Sequence, residues 1–534
     1  MKAEVILSIF ATSDIHGHIF PYLYGNGEHA DHGLGKLAAL IKKEKEKSEI
    51  SILIDNGDLI QGTPLTYYYS RFLISQKNPM IQILNKLEYD AAVIGNHEFN
   101  YGKSILARAV SESNFPWLAA NILFSTTKET YFGLPYKIKT FPNGLKAVVI
   151  GVTTRYIPNW EKKQHIENLA FESAVASLKR WIPYVQEEEK PDIIIVSYHG
   201  GFERDLSTGE PTEEQTGENE AYKICTEVPG IDVLITGHQH RFIEEGKING
   251  VSVVQPGFNG QALAKVTVKF KKNHNDWLIA EKHSTLISAK EVPPDEAILN
   301  IADYYEAKTQ KWLDTVIGEI EGDMLIDDIF EARLREHPLI EFFNKVQMEA
   351  AGTDISCTAL FHESAPGLSH QVTMREIVSN YIYPNSLSVL KVTGKDIKGA
   401  LERSAAYFEL KGDTEVIVNP EFSYPKPQHY NYDMWEGIQY EIDVSRPKGE
   451  RVIALQFKGQ PVMEDAEYEV VMNNYRAAGG GGYTMFRDKP VVKEILTDMT
   501  ELIANYLLEN KKIMPSLNHN WKVVAGNGGD LLVN

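Results

Sequence analysis

Short apolar runs separated by amphipathic stretches fill the first half of the chain. Val5 to Phe10, Ile52 to Ile54, Ala91 to Ile94, Ala147 to Ile150, Ile193 to Val196 and Val233 to Ile235 are almost continuously apolar. That pattern predicts strands buried on both faces. Between them, Lys36 to Lys47 and Ala174 to Val185 repeat their apolar positions at helical spacing. The alternation predicts an α/β domain with helices layered outside sheet. Val251 to Pro256 and Ala264 to Phe270 close it as a β-rich stretch.

At Pro293-Pro294 the pattern changes. Asp295 to Val316 reads as one long helix, opened by the Pro-Pro-Asp signal and carrying apolar Ile298, Ile301, Tyr305 and Trp312. This predicts a first domain over 1–292, a linker helix over 293–318 and an α+β domain over 319–534. In the last, Leu339 to Ala351, the region before Ser379 and Asp396 to Glu409 are expected helices. Leu387 to Val392 and Glu469 to Asn473 are expected strands.

Composition narrows the partners. With 54 Lys+Arg against 73 Asp+Glu, the net charge of −19 argues against a nucleic-acid polymer, which needs a broad basic face. A small anionic substrate remains open, because metal ions set the local field whatever the net charge. No apolar run approaches the ~20 residues that cross a bilayer, so no membrane partner is expected. Cys225 and Cys357 lack metal-ligand spacing and read as buried small hydrophobes, with a disulfide as the alternative. The first strand begins almost at Met1 with no signal peptide, so the expectation is a cytoplasmic protein, or an exported one whose leader is absent.

Five motifs each follow one of the expected strands: Asp14-Ile15-His16, Gly57-Asp58, Gly95-Asn96-His97-Glu98, His199, and Gly237-His238-Gln239-His240. Strand carboxyl ends gather on one edge of an α/β sheet, so these motifs describe one place in space. A lone histidine after a strand would carry little. Together they supply Asp, Asn and His donors in numbers that suit two divalent cations of the Mn, Fe, Co or Zn type, more than the roughly four ligands of a structural zinc.

This motif set resembles the signature of calcineurin-like metallophosphoesterases. The resemblance implies a four-layer α/β/β/α domain and a dinuclear site. One ion would take Asp14, His16 and His240, the other Asn96, His199 and His238, with Asp58 bridging. Coordination lowers the pKa of water from about 15.7 toward ~7, which makes hydroxide available near neutrality. His97 resembles the family histidine that stabilises the transition state and helps the leaving oxygen depart. The family's histidine motif continues Glu-Phe-Asp. Here it reads Glu98-Phe99-Asn100, and the uncharged Asn100 still accepts the ring N–H.

Longer runs extend the resemblance over nearly the whole chain to the 5′-nucleotidase family, and most closely to bacterial 2′,3′-cyclic-nucleotide 2′-phosphodiesterase/3′-nucleotidases. They are His199 to Glu203, Thr216 to Tyr222, Val378 to Asn385, the Tyr-rich stretch ending Asp433 to Gly437, and Met472 to Arg476. The resemblance implies hydrolysis of 2′,3′-cyclic nucleotides to 3′-nucleotides, and of these to nucleoside and phosphate. The 5′-nucleotidases usually carry a phosphate-binding arginine early in the C-terminal domain. The comparable stretch, Leu360 to Gly367, has none, which disfavours a 5′-nucleotidase or nucleotide-sugar hydrolase. A non-catalytic nucleotide-binding protein is disfavoured because no ligand position is lost.

Nucleobases are flat π-surfaces, and stacking them on aromatic rings contributes ~1–3 kcal/mol each. Tyr475 with Tyr432 or Tyr430 is the expected base sandwich. Gly479, Gly480 and Gly481 would admit close backbone approach, Asn473 and Asn474 would bond base or ribose edges, and Arg476 is a weaker candidate. The acidic segment Glu210 to Glu220 is expected to be a solvated loop near the site.

Overall fold

The computed structural model describes residues 4–526 except 133, 214, 275, 362, 363, 384, 413, 414, 425 and 496. His362 and Glu363 of the arginine-free segment, Pro384 of the Val378 to Asn385 run and Glu214 of the acidic segment thus lie outside the described residues. The chain divides into two compact units, Met1–Thr309 and Gln310–Asn534, and the division falls inside helix Glu296–Leu313.

The first unit holds two six-stranded sheets. In one, Glu4–Thr12, Ile50–Asp55, Ala91–Val93 and Trp117–Leu118 run parallel. The long hairpin Ala262–Asn273 and Asp276–Ser288 is added antiparallel beside Glu4–Thr12. In the other, Lys146–Thr153, Ile193–His199, Val233–Ile235 and Val251–Pro256 run parallel between antiparallel edges Tyr136–Thr140 and Phe242–Ile248.

The period of two along each strand decides the layers. Val5, Leu7, Ile9 and Ala11 share one core with Ala147, Val149, Ile193 and Ile195 of the other sheet. The alternate residues Val148, Ile150, Ile194 and Val196 pack instead with Val175, Leu178, Ile182 and Val185 of helix Ala174–Glu188. Helix Leu34–Glu46 lies against strand Ala262–Asn273 of the first sheet. The result is the four-layer α/β/β/α arrangement. Each fully buried aliphatic side chain contributes about 1.5–3 kcal/mol to it.

The second unit is built on a five-stranded sheet ordered Asp433–Glu436, Ile355–Ala359, Glu467–Asn473, Leu387–Thr393, Val491–Ile495, with one parallel pairing, Ile355–Ala359 with Glu467–Asn473. Helices Pro338–Ala351, Gly394–Ala405 and Met499–Asn510 bury residues in its core. The expected helix over Asp396 to Glu409 is corrected: it ends at Ala405, and Phe408–Lys411 is a strand paired with Glu415–Val418. Tyr407 and Phe408, both fully buried, turn away from the helix axis into the core. Cys225 and Cys357 are buried and free. Among the described residues no helix is long and apolar enough to cross a membrane.

Candidate metal centre

Strand ends from both sheets of the first unit meet at the motif residues. The parallel pairing of the first sheet continues past its strands: Asp14 N donates to Gly57 O at 2.9 Å and His16 N to Asp58 O at 2.8 Å. Asp14, His16, Asp58, His238 and His240 all have left-handed backbone, with φ between 50° and 66°. Each such non-glycine residue costs of order 1–3 kcal/mol and persists only where its surroundings over-determine it. These turns aim the side chains inward. A Cβ at Gly237 would stand 2.3 Å from Ser13 Oγ and 2.7 Å from Asp14 Oδ2, so only glycine lets these loops close together.

The donors fall into two sets that meet at Asp58. Asp14, His16 and His240 cluster on one side, with His240 Nε2 3.5 Å from Asp14 Oδ1 and 3.0 Å from His16 Nε2. Asp58, His199 and His238 cluster on the other, and Asn96 Oδ1 lies 3.1 Å from His199 Nε2 and 2.9 Å from His238 Nδ1. Asp58 Oδ2 is 3.1 Å from His199 Nε2 and 4.0 Å from His16 Nε2, within reach of both sets. His199 Nδ1 donates to Asn56 O at 2.7 Å and His16 Nδ1 approaches Gln61 O at 3.2 Å. Each backbone carbonyl fixes one tautomer and leaves Nε2 as the lone-pair donor. Carboxylate, amide and imidazole donors converging in this way fit divalent transition-type cations.

The electrostatics agree with a cation site. Burial pushes Asp14 and Glu98 above the ordinary carboxylate range. Burial acts on Asp58 too, but His199, His97 and His16 hold it well below that range. Burial would lower His199, yet Asp58 beside it raises it to about 10. A proton there balances the buried carboxylates, and a divalent ion would take over that role.

Several neighbours went unread in the sequence. Glu98 is fully buried and accepts from the backbone N–H groups of Asp58, Leu59, Ile60 and Gly95 at 2.9, 2.7, 3.3 and 2.7 Å, fixing the turns that carry Asp58 and Asn96. Trp160 stacks on His238 at 5.3 Å and Phe258 on His240 at 4.8 Å. The acidic segment is a loop beside the site, exposed at Glu210, Pro211, Thr212 and Gln215, but its later carboxylates are not simply solvated. Glu218 Oε1 lies 2.9 Å from His238 Nε2, Glu213 bonds Asn219 and Gln239, and Glu220 caps the start of helix Ala174–Glu188. Its polar composition concealed that these carboxylates face donors inside the fold. His97 Nδ1 lies 2.7 Å from Asn100 Oδ1, as the motif implied, with His97 Nε2 4.0 Å from Asp58 Oδ2.

Residues 7–242 match the calcineurin-like phosphoesterase family and residues 316–488 match the 5′-nucleotidase C-terminal domain. A protein of Staphylococcus aureus, solved with alpha-ketoglutarate and provisionally described as a 5′-nucleotidase, is 37% identical with a TM-score of 0.88, covering 97% of this chain and 100% of that one. The chain belongs to the 5′-nucleotidase family of calcineurin-like phosphoesterases. It is also 29% identical, over 99% of its length, to a trifunctional nucleotide phosphoesterase of Bacillus subtilis, of whose length it spans only 39%. A 2′,3′-cyclic-nucleotide 2′-phosphodiesterase/3′-nucleotidase of Haemophilus influenzae is 27% identical over 99% of this chain and 89% of that protein. The phosphoesterase family implies divalent metal ions, and the clusters of Asp14, His16 and His240 and of Asp58, His199 and His238 are candidate ligands for them.

In the 5′-nucleotidase C-terminal domain the expected nucleoside residues separate. Tyr432 is 1% exposed and stacked on Tyr407 at 4.7 Å, so neither ring face is open to a base. Asn473 is buried, and its Oδ1 accepts from Arg476 N at 2.8 Å as a helix cap. Arg476, the weaker substrate candidate, is instead buried against Asp433. The glycines make room for the protein's own groups. A Cβ at Gly480 would meet the Tyr475 ring at 2.6 Å, one at Gly481 would meet Asn431 Oδ1 at 2.1 Å, and one at Gly479 would meet Arg487 at 2.5 Å. Tyr430, Asn474 and Tyr475 remain partly exposed. The Tyr430 and Tyr475 rings stand edge to face, 6.4 Å apart, instead of parallel.

Proposed function

We propose that this phosphoesterase hydrolyses 2′,3′-cyclic nucleotides to 3′-nucleotides and 3′-nucleotides to nucleoside and phosphate, using two divalent ions of the Mn, Zn, Co or Fe type. The observation that carries this reading is Asp58, whose carboxylate lies within 4.0 Å of histidines from both donor sets. Asp14, His16 and His240 would hold one ion, Asn96, His199 and His238 the other, and Asp58 both. When bound, the pair supplies a nucleophile from water and positive charge toward the phosphoryl oxygens.

The remaining work belongs to side chains. His97, whose backbone N–H donates to Asp58 Oδ1 at 2.8 Å, is assigned to stabilise developing charge and the leaving ribose oxygen. Tyr430 and Tyr475 are assigned to the nucleobase, with Asn474 at its polar edge. Stacking reads a π-face and not a hydrogen-bond pattern, so the bases are interchangeable in this reading. The likeness to the Haemophilus influenzae enzyme over almost the full chain supports the cyclic and 3′ substrates.

The likeness to the Staphylococcus aureus protein favours a second reading, hydrolysis of 5′-nucleotides. Phosphate release from 2′,3′-cyclic AMP (with a phosphatase to report the diester step), 3′-AMP and 5′-AMP, with Mn²⁺ and with EDTA, separates the two. Metal-dependent turnover of the first two with little of the third is the expected result. Dominant 5′-AMP hydrolysis overturns it.

A further inference from the structure

The side chain that fixes the orientation of His97 is an amide, and an amide has no preferred end. Asn100 could present its oxygen or its nitrogen to His97 Nδ1. The two choices demand opposite tautomers, because an amide oxygen only accepts and an amide nitrogen only donates. With Nδ1 as acceptor, Nε2 would carry the proton of the neutral ring, and the nitrogen nearest the metal ligands would change character.

The ambiguity is removed from the far side of the amide. Asn100 Nδ2 donates to Glu161 Oε2 at 2.7 Å. A carboxylate has no donor, so the amide NH₂ must face Glu161 and the oxygen must face His97. Glu161 is itself held. Its side chain is 5% exposed, and Oε1 accepts from Lys162 N at 2.8 Å and from His165 Nδ1 at 2.9 Å. The residue before it, Trp160, stacks on His238, so the same loop is anchored on a metal-ligand candidate.

From this geometry we infer that Glu161 is a positioning residue for the phosphoester reaction, acting through Asn100 to keep the proton of His97 on Nδ1. Neutral His97 then has a bare Nε2. Once Nε2 has taken a proton, the ring can donate it to the leaving ribose oxygen as the oxygen of water bonds to phosphorus, the P–O(ribose) bond breaks and its electron pair goes to the ribose oxygen, and the ring then still holds Nδ1–H. The ring takes its next proton from water at Nε2 again. Proton exchange is confined to the nitrogen that faces the reaction.

The kinetic test rests on the phosphoesterase reading, and a spectroscopic one does not. In the Mn²⁺-loaded enzyme, Glu161→Gln allows either amide orientation at Asn100. It is expected to lower kcat about 10-fold or more with KM within about 2-fold. Asn100→Asp in the Glu161→Gln background is expected to restore most of that loss, since a carboxylate accepts from Nδ1 whichever way it turns. An unchanged kcat in Glu161→Gln overturns the inference. So does a double variant no faster than Glu161→Gln, which is also the result that plain structural damage would give. Imidazole ¹⁵N shifts of the Zn²⁺-loaded protein, with His97 assigned by comparison with His97→Gln, read the tautomer directly. Wild type should show a protonated Nδ1 and a bare Nε2, and Glu161→Gln a mixture; identical spectra overturn the assignment to Glu161. A wild type that shows this pattern but releases no phosphate defeats the functional reading and leaves the role of Glu161 standing.

Discussion

Arg476 and Asp433 form a two-pronged buried ion pair, Nε on Oδ2 at 2.6 Å and Nη2 on Oδ1 at 3.0 Å, with both side chains 1% exposed. The guanidinium also donates to the carbonyls of Gly480 and Tyr430, so one cation ties together the loops carrying Tyr430 and the glycine run. Arg476→Ala would leave a carboxylate buried without its counter-charge, a loss of about 3–5 kcal/mol. The expected outcome is a lower denaturant midpoint for the second unit. Arg476→Lys keeps the charge but not the planar fork, and should fall between. An Ala variant as stable as wild type would show that the pair carries no weight.

Glu98 gathers four backbone N–H groups, and a glutamine there must turn an NH₂ donor toward at least one of them. Glu98→Gln is therefore expected to loosen the Asp58 and Asn96 turns and weaken metal retention about 10–100-fold. Metal content after dialysis against graded chelator measures it; retention equal to wild type contradicts it.

Glu218 supports His238 through Nε2, while the other ring nitrogen faces Asn96. Glu218→Ala should weaken one of two calorimetric Mn²⁺-binding steps by about 10–100-fold and spare the other. Equal weakening of both steps would place its effect elsewhere.

The tyrosines separate by burial. Tyr430→Ala and Tyr475→Ala are each expected to raise KM for 3′-AMP by the equivalent of ~1–3 kcal/mol, with kcat changed less. Tyr432→Phe should leave KM where it is, because its ring is closed off by Tyr407. If Tyr432→Phe raises KM as the others do, the assignment of the base site is wrong.

Removal of metal should expose a pH dependence whose sign is fixed. His199 is raised to about 10 by Asp58 despite its burial, so from about pH 6.5 to 10 the folded metal-free protein binds more protons than the unfolded chain. The stability that His199 confers is fully present below about pH 6.5 and lost as pH rises through 10. Asp55, pushed up to about 8 by burial, adds a slope of the same sign below pH 8. Each group contributes up to ~1.4 kcal/mol per pH unit. The denaturant midpoint of EDTA-treated protein should fall across this window, and that of Mn²⁺-loaded protein should fall less. Parallel curves would mean that His199 does not exchange its proton for the ion.

The metal motifs were legible because they obey local rules. Asp14, Asp58, Asn96, His199 and His238 stand at or just beyond the ends of parallel strands, and continuous apolarity announces such strands. The hairpin Ala262–Asn273 with Asp276–Ser288 was read only in part, because alternating lysines on its exposed face break the apolar run. Glu218 and Glu161 were illegible for a different reason: a carboxylate in a polar loop looks the same whether it faces water or a histidine.

By itself, then, the sequence determined from periodicity an α/β first unit with helices outside sheet and an α+β second unit, while the four layers and the grouping of the candidate metal ligands came with the family resemblance. Only the tertiary structure decided which carboxylate props which histidine, and that Tyr432, Asn473 and Arg476 are enclosed while Tyr430 and Tyr475 remain partly open. Burial and hydrogen-bond partnership depend on what distant segments place alongside a residue. A buried Arg476 is tolerable only because Asp433, 43 positions away, meets it there.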